Sequence, residues 1–356
     1  MKRIISLLVI VCMIATAALI AGCESREPAQ EAAKTEAPKA DAAKAEPAKK
    51  DGPKEEYVWA CQYNSLPLFV NNDYIGMDVV AEELGVTVRK AGPQKIDLPA
   101  FVAAIEQEIV KKPAGMMVVG WDPSLQVGID KAIDAGIPVV TVDADVPASK
   151  RLCFVGTDWY QLGVEQAKVA AKFIGDKKGR AALVGIAAAD NNAQARDGYT
   201  ATMKKLCPNV EVEQQIYDST SNAQKVAEVV ANLISSKSDL IAVGGFDSTC
   251  GPGIATAIKE ANKVGQIFGS CVDAEIEHLQ GVKDGALVAA VGQKRHFFTY
   301  YGVKMLYDYN HSKIKFTKDD KKAAITNIPA SISTGFIVAT KDNVDLLIET
   351  EKEKKK

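Results

Sequence analysis

GMMVVGWDPSLQVGIDKAIDAGIPVVTVD, residues 115–143, sets the architecture of this chain. It opens on an apolar run, Gly115–Val119, and closes on a second, Pro138–Val142, each able to form a strand buried on both faces. Between them Gln126–Ala135 places apolar residues three and four apart, the spacing of one helix face. Two doubly buried strands joined by a helix make a parallel crossover motif, whereas a half-exposed antiparallel strand would alternate apolar with polar.

The same rhythm runs outward in both directions. Strands are expected at Tyr57–Cys61, Val86–Arg89, Cys153–Val155, Ala181–Gly185, Val210–Ile216, Leu240–Val243, Gln266–Gly269 and Leu287–Val291. Helix patterns fall between them at Asp73–Leu84, Leu98–Lys111, Gln161–Phe173, Ala193–Leu206, Ala223–Ser235, Gly253–Ala261, Glu275–Lys283 and Phe297–Tyr309. The alternation specifies an α/β chain with doubly wound parallel sheets, although a closed eight-stranded barrel would alternate in the same way.

The N-terminal stretch has a different chemistry. Met1-Lys2-Arg3, the apolar run Ile4 to Ile20 and the small residues before Cys23 have the make-up of an export signal, residues 1–22. Ile20-Ala21-Gly22-Cys23 resembles the lipobox of bacterial lipoproteins, which implies acylation of Cys23 and a membrane anchor; the alternative is an ordinary cleaved signal with an incidental cysteine. From Cys23 to Glu56 the chain is nearly all Ala, Lys, Glu and Pro, with nothing to bury, and is expected to be a tether. Its alternating charges, and a net charge of -2 for the whole chain, give no general attraction for nucleic acid. Five cysteines follow Cys23, widely spaced, and the chain has three histidines, so no zinc motif is present and no metal or cofactor is expected. Cys250 and Cys271 are the candidate disulfide, with buried free thiols as the other reading.

Particular segments add more. In order, VWACQYNSLPLFVNNDYIGMDVVAEELG (58–85), IPVVTVDADV (137–146), FVGTDWYQLG (154–163), NAQARDGYTATM (192–203), IAVGGFDSTCGPGIATAIKEA (241–261), IFGSCVDAE (267–275) and GALVAAVGQ (285–293) resemble the type I periplasmic binding proteins of the ribose, galactose and xylose group. The resemblance implies two Rossmann-like lobes joined by three hinge crossings, with a ligand between strand C-termini. By analogy the first lobe takes 57–157 and 294–330, the second 158–293 and 331–348, and 349–356 is a charged tail. The crossings are expected near Thr157-Asp158, Gln293 and Ser331–Thr334, with Lys313–Ile328 a polar insertion.

A sugar presents hydroxyls that donate and accept, plus weakly polar C–H faces, so its site should mix carboxylates and amides with flat aromatic groups. The resemblance assigns Asp143, Arg196, Asp273 and Gln293 to ligand hydroxyls, with Asp247 at a further strand end. Each has a structural alternative: turn capping for Asp143, pairing with Asp197 or Asp190 for Arg196, hinge fixing for Gln293. Asn64 is the polar candidate in the first loop and Phe69 a stacking ring. One of the family's usual two aromatic rings is missing there, and Trp121 is the candidate replacement, with Trp159 at the rim. Phe246 stands where ribose-type members have asparagine and is expected to offer the ligand an aromatic face in its place; Ala144 stands where they have arginine, and both departures argue against a ribose-like bond set.

No catalytic motif of the serine-elbow, phosphate-loop or zinc-protease kind occurs, so an enzyme is not expected. The expected protein is a monomeric, lipid-anchored solute-binding protein of the cell envelope. It would capture a small neutral sugar or polyol by lobe closure and pass it to an ABC permease. A receptor component for chemotaxis or a sensor kinase is the alternative, because closure is the signal in both.

Overall fold

The computed structural model describes residues 54–320 and 322–353, which places the expected signal, Cys23 and nearly all of the tether outside the described residues. Twelve strands form two six-stranded sheets. The first holds β1 (Glu56–Ala60), β2 (Thr87–Ala91), β3 (Gly115–Val119), β4 (Val139–Asp143), β5 (Cys153–Gly156) and β11 (Ser331–Ser333), in the order β11-β5-β4-β3-β1-β2. In the second lie β6 (Gly179–Gly185), β7 (Val210–Asp218), β8 (Leu240–Gly245), β9 (Phe268–Val272), β10 (Leu287–Gln293) and β12 (Phe336–Ala339), in the order β12-β10-β9-β8-β6-β7. All neighbouring strands pair in parallel except β10 and β12. The expected doubly wound architecture is therefore present twice, and two open six-stranded sheets replace the closed-barrel alternative.

Helices flank each sheet. α1 (Tyr74–Leu84), α2 (Leu98–Lys111), α3 (Gln126–Asp134) and α9 (His296–His311) belong with the first, and α4 (Trp159–Ile174), α5 (Asp190–Leu206), α6 (Ala223–Ser236), α7 (Cys250–Glu260), α8 (Ile276–Lys283) and α10 (Val344–Glu353) with the second. Central strands such as GMMVV and FGSCV are buried along their whole length, as a sheet covered on both faces requires. Each lobe has two apolar clusters, one on either side of its sheet; Trp59, Phe69 and Phe298 anchor one in the first lobe, and Tyr199 and Phe246 anchor one in the second.

Three connections pass between the sheets, at 157–158, 294–295 and 334–335. Two expectations need correction. Residues 331–333, assigned to the second lobe, pair with β5 and close the first sheet. Residues 349–353, read as a charged tail, continue α10, whose Val344 and Ile348 are buried. Among its described residues the insertion 313–328 holds neither helix nor strand; Asp320 organises it by accepting from the Phe316 and Thr317 backbone N–H groups. All five cysteines of the body are free and buried. Cys250 and Cys271 are not joined, for Cys250 Sγ lies 3.5 Å from the Val184 carbonyl and Cys271 Sγ 3.9 Å from that of Ala289.

Candidate functional site

The two sheets present matching carboxylates. Asp143 ends β4 and Asp273 follows β9, and each of these strands is third from the β11 or β12 edge of its sheet. Both residues adopt the left-handed backbone, with φ of 69° and 68°. That conformation is uncommon outside glycine, though aspartate tolerates it better than most residues, and here it recurs at equivalent strand ends of the two sheets. Both aspartates are buried.

Asp143 is held from two sides. Trp121, in the loop after β3, donates its indole N–H to Oδ2 at 2.8 Å, and Arg295 Nη1 donates to Oδ1 at 2.7 Å. Arg295 also donates from Nε to Asp73 Oδ2 at 3.0 Å and packs over the Phe69 and Phe298 rings. Asp73 leads into α1 and Arg295 into α9, and Gly76 brings these helix starts together: a Cβ there would sit 2.0 Å from the His296 carbonyl oxygen. Burial, opposed by Arg295 and reinforced by Asp143, pushes the Asp73 carboxyl up to about 7.

Asp273 is held through the hinge. Gln293, the last residue of β10, donates from Nε2 to Asp273 Oδ1 at 3.0 Å and accepts from Thr157 Oγ1 at 2.7 Å. The first and second connections thus share one amide. The third is tied to the first by the Thr334 N–H, which donates to the Gly156 carbonyl at 3.1 Å. Burial raises the Asp273 carboxyl, against the pull of His278.

Beside Asp273 lies a second titratable pair. His278 Nε2 faces the Ser248 carbonyl at 2.7 Å, so it must be the protonated nitrogen. Nδ1 lies 3.2 Å from Glu275 Oε2, and neither atom has another hydrogen-bond partner among the described residues. Burial drives the histidine down and, aided by Asp273, drives the Glu275 carboxyl up to about 8. Both shifts favour a neutral imidazole beside a protonated acid.

A cavity of about 660 Å³ opens between the lobes, lined by Trp121, Asp143 and Asp145 on one side and Trp159, Asn191 and Gln194 on the other. A smaller one of about 260 Å³ reaches Asp273, Glu275, Gln293 and Arg295. Trp121 stacks on Phe69, with ring centroids 5.5 Å apart and planes 30° from parallel, so Phe69 backs the tryptophan and is itself fully buried. The larger cavity is of the size that holds a small ligand.

Several sequence expectations sit elsewhere. Asn64 is buried and spends its amide on the Gly92 carbonyl at 2.8 Å. Phe246 lies in the second-lobe core against Tyr199 and offers no face to a ligand, because its ring turns inward from the end of β8. Asp247 caps the turn into α7, accepting from Thr249 N at 3.0 Å. Arg196, on α5, pairs with its neighbour Asp197 at 2.8 Å, which is its structural alternative. Trp121, Asp143, Asp273 and Gln293 lie at the cleft and hinge. Sequence reasoning missed Arg295, Asp73, Thr157 and the His278–Glu275 pair. For Arg295 the available signal was a cation two residues beyond the hinge glutamine, in GQKRHFF.

Among the described residues no group of three or more His, Cys, Asp or Glu is placed to hold a metal ion, and no helix is long and apolar enough to cross a membrane. Comparison with known proteins gives a consistent picture. The chain is 24% identical over 269 residues to the ribose import binding protein of Bacillus subtilis, covering 74% of this chain and 84% of that one. The arabinose-binding protein AraP from Geobacillus stearothermophilus superposes with a TM-score of 0.74 at 27% identity, over 83% of this chain and 99% of AraP. A sugar ABC transporter sugar-binding protein from Bacillus halodurans gives 0.75 at 24% identity, over 82% of this chain and all (100%) of that one. With a family match spanning residues 58–313, the chain belongs to the periplasmic binding protein domain family, a substrate-binding and non-catalytic protein type.

Proposed function

We propose that this protein captures a monosaccharide or similar small neutral polyol between its lobes and delivers it to an ABC permease outside the cytoplasm. One observation carries the reading: Asp143 and Asp273, in matching left-handed turns at equivalent strand ends, bring an acceptor from each sheet toward the cleft. A ligand bridging them would gain contacts only in a closed form, which is the differential affinity that a population shift requires. Trp121 and Trp159 supply flat faces for the C–H side of a sugar ring. The carboxylates around the cleft outnumber the cations, which disfavours a ligand bearing carboxylate or phosphate. Calorimetry of the ligand-free body against pentoses, hexoses, inositol and, as controls, amino acids and purines tests the reading; binding confined to the controls would overturn it.

The lipid anchor at Cys23 is part of the same proposal, on the strength of Ile20-Ala21-Gly22-Cys23 and the tether behind it. Detergent partitioning of the full-length protein with and without Cys23→Ser decides it, since recovery of both in the aqueous phase would remove the anchor.

A further inference from the structure

We propose that Arg295 is a positioning residue for the ligand, holding Asp143 in one orientation as a hydrogen-bond acceptor and doing so from the second hinge connection. The inference rests on the reading of the cleft as a sugar site. Two cations expected near a sugar do not serve here: Ala144 stands beside Asp143 in place of an arginine, and Arg196 is paired with Asp197. Arg295 reaches the carboxylate from a distant part of the chain instead.

The geometry fixes the acceptor. One donor meets each oxygen of Asp143, Arg295 at 2.7 Å and Trp121 at 2.8 Å, which defines the carboxylate plane and leaves a lone pair on each oxygen for ligand hydroxyls. Arg295 is itself immobilised, 3% exposed, bonded to Asp73 at 3.0 Å and covered by Phe69 and Phe298 at 5.1 Å and 5.0 Å from the ring centroids. The planar fork holds the two carboxylates in a fixed relative orientation, which the point charge of a lysine ammonium on its flexible stem would do less well. Arg295 also stands two residues after Gln293, which holds Asp273. A single connection between the lobes therefore orients the acceptors of both, so that rotation about the hinge and presentation of the acceptors are coupled.

The test is a double-mutant cycle by calorimetry with D-ribose, D-arabinose and D-allose as probes, on wild type, Arg295→Gln, Asp143→Asn and the double variant. Arg295→Gln should weaken the sugar that wild type binds by about 100-fold, near the upper end of coupling between contacting residues, and by under about threefold in the Asp143→Asn background. Arg295→Lys should recover part of the loss. Equal losses in the two backgrounds would mean a purely structural role and overturn the proposal. A second measurement needs no ligand: hydrogen exchange of the Trp121 indole N–H, which Asp143 accepts, should quicken in Arg295→Gln. Unchanged exchange overturns the proposal as well. If wild type binds none of the three sugars, the sugar reading is weakened, and the indole measurement still decides the role of Arg295. Should the glutamine variant fail to fold, Arg295→Lys carries the same comparison, with a smaller change in the same direction.

Discussion

Asp73→Asn separates two accounts of the charges buried beneath the cleft. The Asp73 side chain is 1% exposed, and burial, the largest influence, lifts its carboxyl from 3.8 to about 7 even with Arg295 at 3.0 Å. An acid raised in the folded state keeps a proton that the unfolded chain has released. Its contribution to stability is therefore full below the unfolded value, falls as pH rises and is gone above the folded value. Between about pH 5 and about pH 8 the loss works out at roughly 2–3 kcal/mol for a group that titrates at these two values, since each pH unit between them is worth about 1.36 kcal/mol. Asparagine copies the shape and charge of the protonated acid and does not titrate. The stability of Asp73→Asn relative to wild type should therefore rise by roughly 2–3 kcal/mol from the lower pH to the higher one. The competing account treats Asp73 and Arg295 as an ion pair charged throughout, in which case removing one partner costs about 3–5 kcal/mol at both pH values. Urea unfolding of the two proteins at both pH values decides. The comparison is the difference between proteins, because Glu275, at about 8, titrates in the same interval and cancels. A difference that stays constant between the two pH values would refute the argument.

Three further outcomes follow from the packing. Phe246→Ala should cost about 3–5 kcal/mol in denaturant unfolding, as for a fully buried ring, while the folded fraction keeps its sugar affinity; a selective loss of affinity would return Phe246 to the site. Asp273→Ala should weaken binding by about 2–5 kcal/mol in calorimetry and reduce the contraction seen by solution scattering on ligand saturation. His278 should show the ¹⁵N shifts of a neutral, Nε2-protonated imidazole at neutral pH and stay neutral below the usual titration point, because burial lowers it; a charged ring there would contradict the burial argument, and an Nδ1-protonated neutral ring the Ser248 geometry.

The parallel architecture was legible because its signals are local. Runs such as Gly115–Val119 and helix faces such as Gln126–Ala135 are read within one window, and the ten expected strands and nine expected helices all formed, β9 starting two residues late at Phe268. β11 and β12 were missed because SIS and FIVA are too short and too sparsely buried to stand out. Asp143 and Asp273 could be found as carboxylates ending apolar strands. The pairing of Arg295 could not, for although the arginine's place beyond the hinge glutamine was a signal, its partners lie 152 and 222 residues away and meet it only where the starts of α1 and α9 approach the end of β4. Phe246 failed for the opposite reason: an aromatic just past a strand end turns either to the cleft or to the core, and the alternation of one strand does not fix which.

The polar hinge follows from where the lobes must join. A connection between sheets breaks the backbone ladders that satisfy its N–H and C=O groups, and the cleft removes water from them, so the side chains of the connections must supply partners. Thr334 supplies one to the Gly156 carbonyl, from its backbone N–H at 3.1 Å and its hydroxyl at 3.4 Å, while the Thr157 hydroxyl donates to the Gln293 side-chain amide, so the bonds reach all three connections. Had the connections been apolar, Asp143 and Asp273 would each have been presented by its own lobe alone. Bonding to Gln293 and Arg295 instead ties both carboxylates to the connection that the lobes share, and in the proposed sugar site that is how a ligand's hydroxyls would register the angle between the lobes.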